Sequence, residues 1–161
     1  MLSLEIISIG RLKQDAEQKL QQRYLERVQK VGPSVGLKTI SVQELAESKQ
    51  ASTAKRKAEE AHKLIKQITP NSRIIALDET GKLQASKNFS NELARLRDEG
   101  TQTISFILGG PDGHDQTLLN AAHQTLSLSK MTLPHGLARI ILLEQLYRAL
   151  TIWSGHPYHR D

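Results

Sequence analysis

The chain predicts an α/β fold: a single domain with one parallel sheet and flanking helices. Apolar runs of strand length alternate with stretches of helical periodicity along most of its length. Ile104-Ser-Phe-Ile-Leu108 is almost continuously apolar, as expected of a central strand covered on both faces. The strands are joined by segments long enough to be crossover helices, which parallel neighbours need.

Leu2 to Ile9 reads as the first strand and ends at Gly10. Ala16, Leu20, Tyr24 and Val28, with Leu25 beside them, predict a helix that Gly32-Pro33 stops. Leu37 to Val42 is the second strand, rich in β-branched residues. Ser52 or Thr53 caps the next helix, which ends before Pro70. Its apolar face is Ala54, Ala58, Ala61, Ile65 and Ile68, and its other face is rich in lysine.

Arg73 to Leu77 forms the third strand, from which Asp78-Glu-Thr-Gly81 turns the chain away. Phe89, Leu93 and Leu96 mark a helix with Ser86 as its cap and Gly100 as its stop. The strand 104–108 runs into Gly109-Gly-Pro-Asp-Gly113, and Leu118, Leu119 and Ala122 sketch a short helix. The fifth strand begins at Leu126, with Leu126 and Leu128 on one side and Ser127 and Ser129 on the other. A long helix follows, in which Leu137, Ile140, Ile141, Leu143, Tyr147 and Leu150 recur at helical spacing until Gly155.

At 161 residues the chain suits one domain, 1–161, that buries its own core. It contains no cysteine, which removes disulfides, thiolate nucleophiles and cysteine-ligated zinc, and suits a reducing compartment. The opening run is too short and too polar for a signal peptide, and no run reaches membrane-span length. We therefore expect a cytoplasmic protein with no membrane partner. The net charge of +5 suits a polyanion such as nucleic acid. Residues 49–66 hold six basic and two acidic side chains, and Lys55, Arg56, Lys57, Lys63 and Lys66 form the candidate face for phosphate contact, although a merely solvated face fits the same pattern.

Three loops leave the carboxyl ends of strands three, four and five: Leu77 to Gly81, Gly109 to Gly113, and Leu128 to Gly136. Ligands of α/β sheets bind at that edge. A Gly-Gly-Pro-Asp-Gly string taken alone is usually just a tight turn, but three glycine-bearing loops at one edge point to a site. Neither a Walker loop nor a Gly-x-Gly-x-x-Gly fingerprint occurs. Gly155 and Pro157 oppose a metal site at His156 and His159, so no metal is expected. The chain closes on His156-Pro-Tyr-His-Arg-Asp161, dense in proton donors and acceptors, with Arg139, Glu144 and Arg148 on the preceding helix as possible partners.

Leu77-Asp-Glu-Thr-Gly81, Leu108-Gly-Gly-Pro-Asp-Gly113, Ser127-Leu-Ser-Lys-Met-Thr-Leu-Pro-His135, Glu144-Gln-Leu-Tyr-Arg148 and Pro157-Tyr-His-Arg160, in this order and at these spacings, resemble the RlmH family of SPOUT methyltransferases. That family methylates N3 of a pseudouridine in 23S rRNA with S-adenosylmethionine. The resemblance spans essentially the whole chain. It implies a C-terminal trefoil knot, which general topology rules would not predict. It also implies a homodimer joined near the knot and a substrate in the assembled 70S ribosome.

The resemblance places the cofactor contacts on Leu77, Gly109, Leu128, Ser129, Lys130, Met131, Thr132 and Leu133. It places the nucleotide site on His135, Arg148, Tyr158, His159 and Arg160, with the tail supplied across the dimer interface. His159, or an acceptor it orients, would take the N3 proton, while Arg148 and Arg160 would hold phosphate or steady the imide anion. A non-catalytic ribosome-binding protein of the same fold is the alternative. A flavodoxin-like nucleotide module fits the strand count but lacks a phosphate loop.

Overall fold

The elements follow one another as β1 (Leu2–Ile9), α1 (Ala16–Val31), β2 (Leu37–Leu45), α2 (Thr53–Gln67), β3 (Arg73–Leu83), α3 (Ser86–Asp98), β4 (Thr103–Leu108), α4 (Gln116–Ala121), β5 (Gln124–Ser127) and α5 (His135–Ser154). A 3-10 turn, Gly32–Val35, follows α1. The computed structural model describes residues 1–13 and 15–160. Its five strands form one parallel sheet in the order β2-β1-β4-β3-β5.

Alternation along β1 divides the core between the two faces. Leu2, Leu4 and Ile6 join Val28, Phe89, Leu93, Leu142 and Leu146 in the larger cluster, beneath α1, α3 and α5. Ile7 and Ile9 join Ile107, Ala61, Leu64 and Leu118 beneath α2 and α4. α5 is buried over much of its circumference, since it packs on the sheet while α1 and α3 flank it. No helix is long and apolar enough to cross a membrane among the described residues.

The element types follow the sequence reading, and five details depart from it. β2 continues three residues past Val42, paired with β1 through Leu45. β3 does not end at Leu77. Leu77 and Lys82 both face Leu126 of β5, so residues 78–81 form an excursion within the strand. Ala85 takes the cap position of α3, while Ser86 opens the helix and its hydroxyl donates to Gln145 Oε1 at 2.7 Å.

β5 stops at Ser127, two residues early, because Ser127 Oγ donates to the Ser129 carbonyl at 2.9 Å and curls the chain. Ser52 does cap α2, its Oγ accepting from the Lys55 amide. The buried face of that helix is nevertheless Glu60, Ala61 and Leu64, with Ile68 partly covered. Ala54, Ala58 and Ile65 face outward. The alanine stripe misplaced the face by about one residue because the true face includes a carboxylate.

Candidate active site

At the carboxyl edge of the sheet, the ends of β3, β4 and β5 open onto a cavity of about 560 Å³. Three walls enclose it: Leu77 to Glu79, Leu108 to His114, and Leu126 to Ala138 without Lys130, Gly136 and Leu137. Of the residues assigned to the cofactor, Leu77, Gly109, Leu128, Ser129, Met131, Thr132 and Leu133 line this space, and Lys130, which is exposed, does not. His135 lines it too, from the first turn of α5.

Local chemistry shapes each wall. In the first, Asp78 Oδ1 accepts from the Thr80 amide at 2.8 Å and the Thr80 hydroxyl at 2.5 Å. Burial alone would raise the Asp78 carboxyl, but the two Thr80 bonds outweigh it and hold the group below its ordinary range, so it is charged at neutral pH. In the second wall, the Gly113 amide donates to the Gly110 carbonyl at 3.0 Å, which makes the glycine string the tight turn its composition suggests. In the third, the Met131 amide donates to Ser129 Oγ at 2.9 Å.

His114 was not singled out by the sequence reading, and it sits at the back of the cavity, 7% exposed. Its Nε2 lies 3.2 Å from the Ile107 carbonyl. Burial holds its pKa below the ordinary histidine value despite that bond and the nearby Asp78, which keeps the ring neutral. The signal for it was weak, since one histidine after a glycine turn resembles any loop residue.

The tail gathers around Glu144. Its Oε1 accepts from Arg148 Nη2 at 2.6 Å, Arg148 Nε at 3.1 Å and the Tyr158 hydroxyl at 3.0 Å. The Arg148 guanidinium stacks 4.8 Å from the Tyr158 ring centre, and its Nη1 lies 3.2 Å from His159 Nδ1. Burial, then the bond to Glu144, raises the Tyr158 phenol far above its usual range, so this hydroxyl is a donor and not a base. The Glu144 bond likewise raises Arg148, a permanent cation. Arginine can only donate, so His159 Nδ1 accepts and a neutral ring carries its proton on Nε2.

Arg139 does not join the tail. It is fully buried and donates to Glu44 Oε2 at 2.6 Å and the Gly10 carbonyl at 3.0 Å. Arg160 is exposed. Thirteen positions of α5 separate His135 from Arg148, a separation of about 20 Å at about 1.5 Å per residue. Within one chain, the residues assigned to the nucleotide therefore fall at two separate places.

The candidate rRNA face is smaller than its composition suggests. Arg56 spends its donors on Asp112, Thr53 and the carbonyls of Gln50 and Ala51. Lys63 pairs with Glu59 at 3.2 Å. Lys55 and Lys66 are exposed and Lys57 is half-buried.

A parallel α/β sheet with a ligand-sized cavity of apolar side chains and close backbone at its carboxyl edge has the arrangement in which α/β proteins hold small-molecule ligands. The chain belongs to the SPOUT methyltransferase family: the family described as "Predicted SPOUT methyltransferase" matches residues 2–159. It is 46% identical over 159 residues to a protein of Rhizobium leguminosarum bv. trifolii named ribosomal RNA large subunit methyltransferase H, covering 99% of each chain. Proteins of that name from Brucella anthropi and Methylocella silvestris are each 42% identical over 160 residues, covering 99% of this chain and all of theirs.

Proposed function

We propose that the protein methylates N3 of a pseudouridine in the 23S rRNA of the assembled 70S ribosome, using S-adenosylmethionine, and works as a homodimer in the cytoplasm. The observation that carries this reading is the single cavity into which the three family loops converge. Full-length similarity to proteins named as large-subunit rRNA methyltransferases supports the substrate class.

The lining fits the methyl donor. Leu77, Leu108, Leu126, Leu128 and Leu133 offer apolar faces to an adenine ring, and backbone groups at Gly109 and Gly110 offer polar edges. The charged Asp78 and nearby Glu79 suit the cationic end of the molecule. When bound, S-adenosylmethionine supplies an electrophilic methyl group. The protein's part is to hold the base nitrogen in line with it and to remove one proton.

His135 borders the cavity, while Arg148, with Tyr158 and His159 against it, stands about 20 Å along α5, too far for one chain's tail cluster to share the cavity that His135 borders. This geometry supports the dimer. Arg148 and Arg160 would bind phosphate or the imide anion. Were S-adenosylmethionine bound, transfer of its methyl group to N3 would break the carbon–sulfur bond and release S-adenosylhomocysteine, and His159 would accept the N3 proton at Nδ1 once Arg148 no longer donates there. Tyr158, held protonated, stays a donor that fixes Glu144.

The same reading includes the trefoil knot. Gly81 lies against the backbone of Thr125 and Leu126, and this close approach of the 78–81 excursion to β5 supports the reading. Chain tracing in an experimental structure tests it. The exposed lysines Lys55 and Lys66, with Lys57, are the candidate phosphate contacts on the ribosome, and reversing their charge should weaken binding and flatten its salt dependence.

The deciding experiment is methyl transfer from labelled S-adenosylmethionine to ribosomes lacking the modification, compared with protein-free 23S rRNA, followed by mapping of the label. Label at N3 of a pseudouridine on ribosomes alone is the expected result. No label on either substrate, with the cofactor bound, would favour the non-catalytic ribosome-binding alternative. Unchanged single-turnover methylation by His159→Ala would remove that residue from the chemistry.

A further inference from the structure

The second wall of the cavity cannot hold its own shape. Residues 109–113 include three glycines, which lose the most conformational freedom on ordering. The bond between the Gly113 amide and the Gly110 carbonyl closes the turn on itself without fixing where the turn sits.

α2 supplies the missing constraint. Arg56 grips the Asp112 carboxylate with two bonds, Nε to Oδ2 at 2.8 Å and Nη2 to Oδ1 at 3.3 Å. The fork is fixed before it reaches the loop, because its other bonds run to the carbonyls of Gln50 and Ala51 and to Thr53 Oγ1. The pairing holds Asp112 below and Arg56 above their ordinary pKa values, so both are charged at neutral pH.

One turn along α2, Glu60 is 4% exposed. Its Oε2 accepts from the Ser48 amide at 2.9 Å. Its Oε1 is buried without a partner and lies 3.2 Å from where a Cβ on Gly110 would stand. A buried carboxylate oxygen left unpaired is costly, and one aimed at a glycine backbone is an acceptor held ready for an amide of that loop. The rotated face of α2 now has a reason: the helix turns Arg56 and Glu60 towards the glycine turn, at the expense of the outward-facing alanines.

We propose that Arg56 and Glu60 are positioning residues that hold the Gly109–Gly113 turn in the shape the methyl donor binds, so that α2 sets the affinity of the cavity without touching its ligand. The affinity part rests on reading the cavity as the S-adenosylmethionine site. The loop-holding part stands without it.

The test uses the full-length protein in two steps. Amide hydrogen exchange without cofactor should show faster exchange at Gly110 and Gly113 in Arg56→Met, with β1 and α5 unchanged. Isothermal titration should then show S-adenosylmethionine and S-adenosylhomocysteine binding about 5- to 100-fold more weakly to Arg56→Met, while affinity for ribosomes is retained. Arg56→Lys should bind as poorly, because an ammonium cannot reproduce the fork. The exchanged pair Arg56→Asp with Asp112→Arg should recover most of the affinity. Glu60→Gln, which keeps the volume, provides an independent variant that should also weaken binding.

Unaltered exchange in the turn, or exchange accelerated throughout the sheet together with a large fall in Tm, would overturn the proposal. Wild-type protein that binds neither cofactor, with exchange changed locally as expected, would sink the cofactor reading and the affinity part while leaving the loop-holding role in place.

Discussion

Thr132 Oγ1 donates to Glu79 Oε2 at 3.1 Å and so joins the first wall of the cavity to the third. The two residues are 53 positions apart, and both line the cavity. Both are exposed, so the bond is a weak closure that water can replace.

A weak closure should act on exchange of the ligand more than on its affinity. Thr132→Val removes the donor with little change in volume and is expected to speed dissociation of S-adenosylhomocysteine by about 2- to 10-fold, since one net hydrogen bond is about 0.5–1.5 kcal/mol. Stopped-flow displacement measures the rate. An unchanged off-rate would show that the contact does not close the cavity.

His114 makes stability depend on pH in a defined direction. Its folded pKa lies below the unfolded value because burial penalises the imidazolium. The unfolded chain therefore binds more protons in the window from about pH 6.5 down to the folded pKa. Stability is full above that window and falls as pH drops through it. Urea unfolding of the wild type between pH 8 and pH 5 should show this loss, and His114→Gln should show a shallower one. Parallel curves for the two proteins would remove His114 as the source.

The strand–helix alternation was legible because period-two and period-3.6 patterns depend on burial alone, and each of the five strands and five helices has such a stretch. Residues 78–81 were not legible as an excursion, because Asp-Glu-Thr-Gly carries the composition of an ordinary turn and only pairing with Leu126 on both sides shows that β3 resumes. The face of α2 was misjudged because burial of Glu60 depends on Ser48 and Gly110, which are distant in sequence. The cavity loops were legible because their glycines and positions at strand ends are local. The cluster of Glu144, Arg148, Tyr158 and His159 was only partly so, since helix spacing brings the first two together and only the fold returns the tail to them.

Gly81 illustrates a glycine kept for space. A Cβ at this position would lie 2.8 Å from backbone atoms of Thr125 and Leu126, which cannot move aside as a flexible side chain would. Gly81→Ala should push β5 away from β3 and cost about 1–3 kcal/mol, with weakened cofactor binding because Leu126 and Ser127 line the cavity. Chemical denaturation and titration check the two effects. Wild-type stability in this variant would mean that the two segments are further apart than the structure places them.

Arg139 gives the largest expected loss away from the cavity's own lining. Its side chain is fully buried, and its bonds to Glu44, Gln21 and the Gly10 carbonyl tie α5 to the ends of β1 and β2 and to α1. Arg139→Met preserves the apolar stem but takes the guanidinium away from the Gly10 carbonyl and from Glu44, which keeps only its bond from the Leu12 amide, and breaking a buried pair from one side costs about 3–5 kcal/mol. Arg139→Lys should recover only part of this, because a single, strongly hydrated ammonium on a shorter side chain cannot reach three acceptors in the plane of the fork. Glu44 is 28% exposed at its side chain, so Glu44→Gln, which leaves the arginine a neutral acceptor, should cost less than Arg139→Met. That order, Arg139→Met above Arg139→Lys and Glu44→Gln, is read from urea midpoints at neutral pH. A loss below about 1 kcal/mol for Arg139→Met would place its value outside the buried-pair range and show that water can take over the role of the guanidinium.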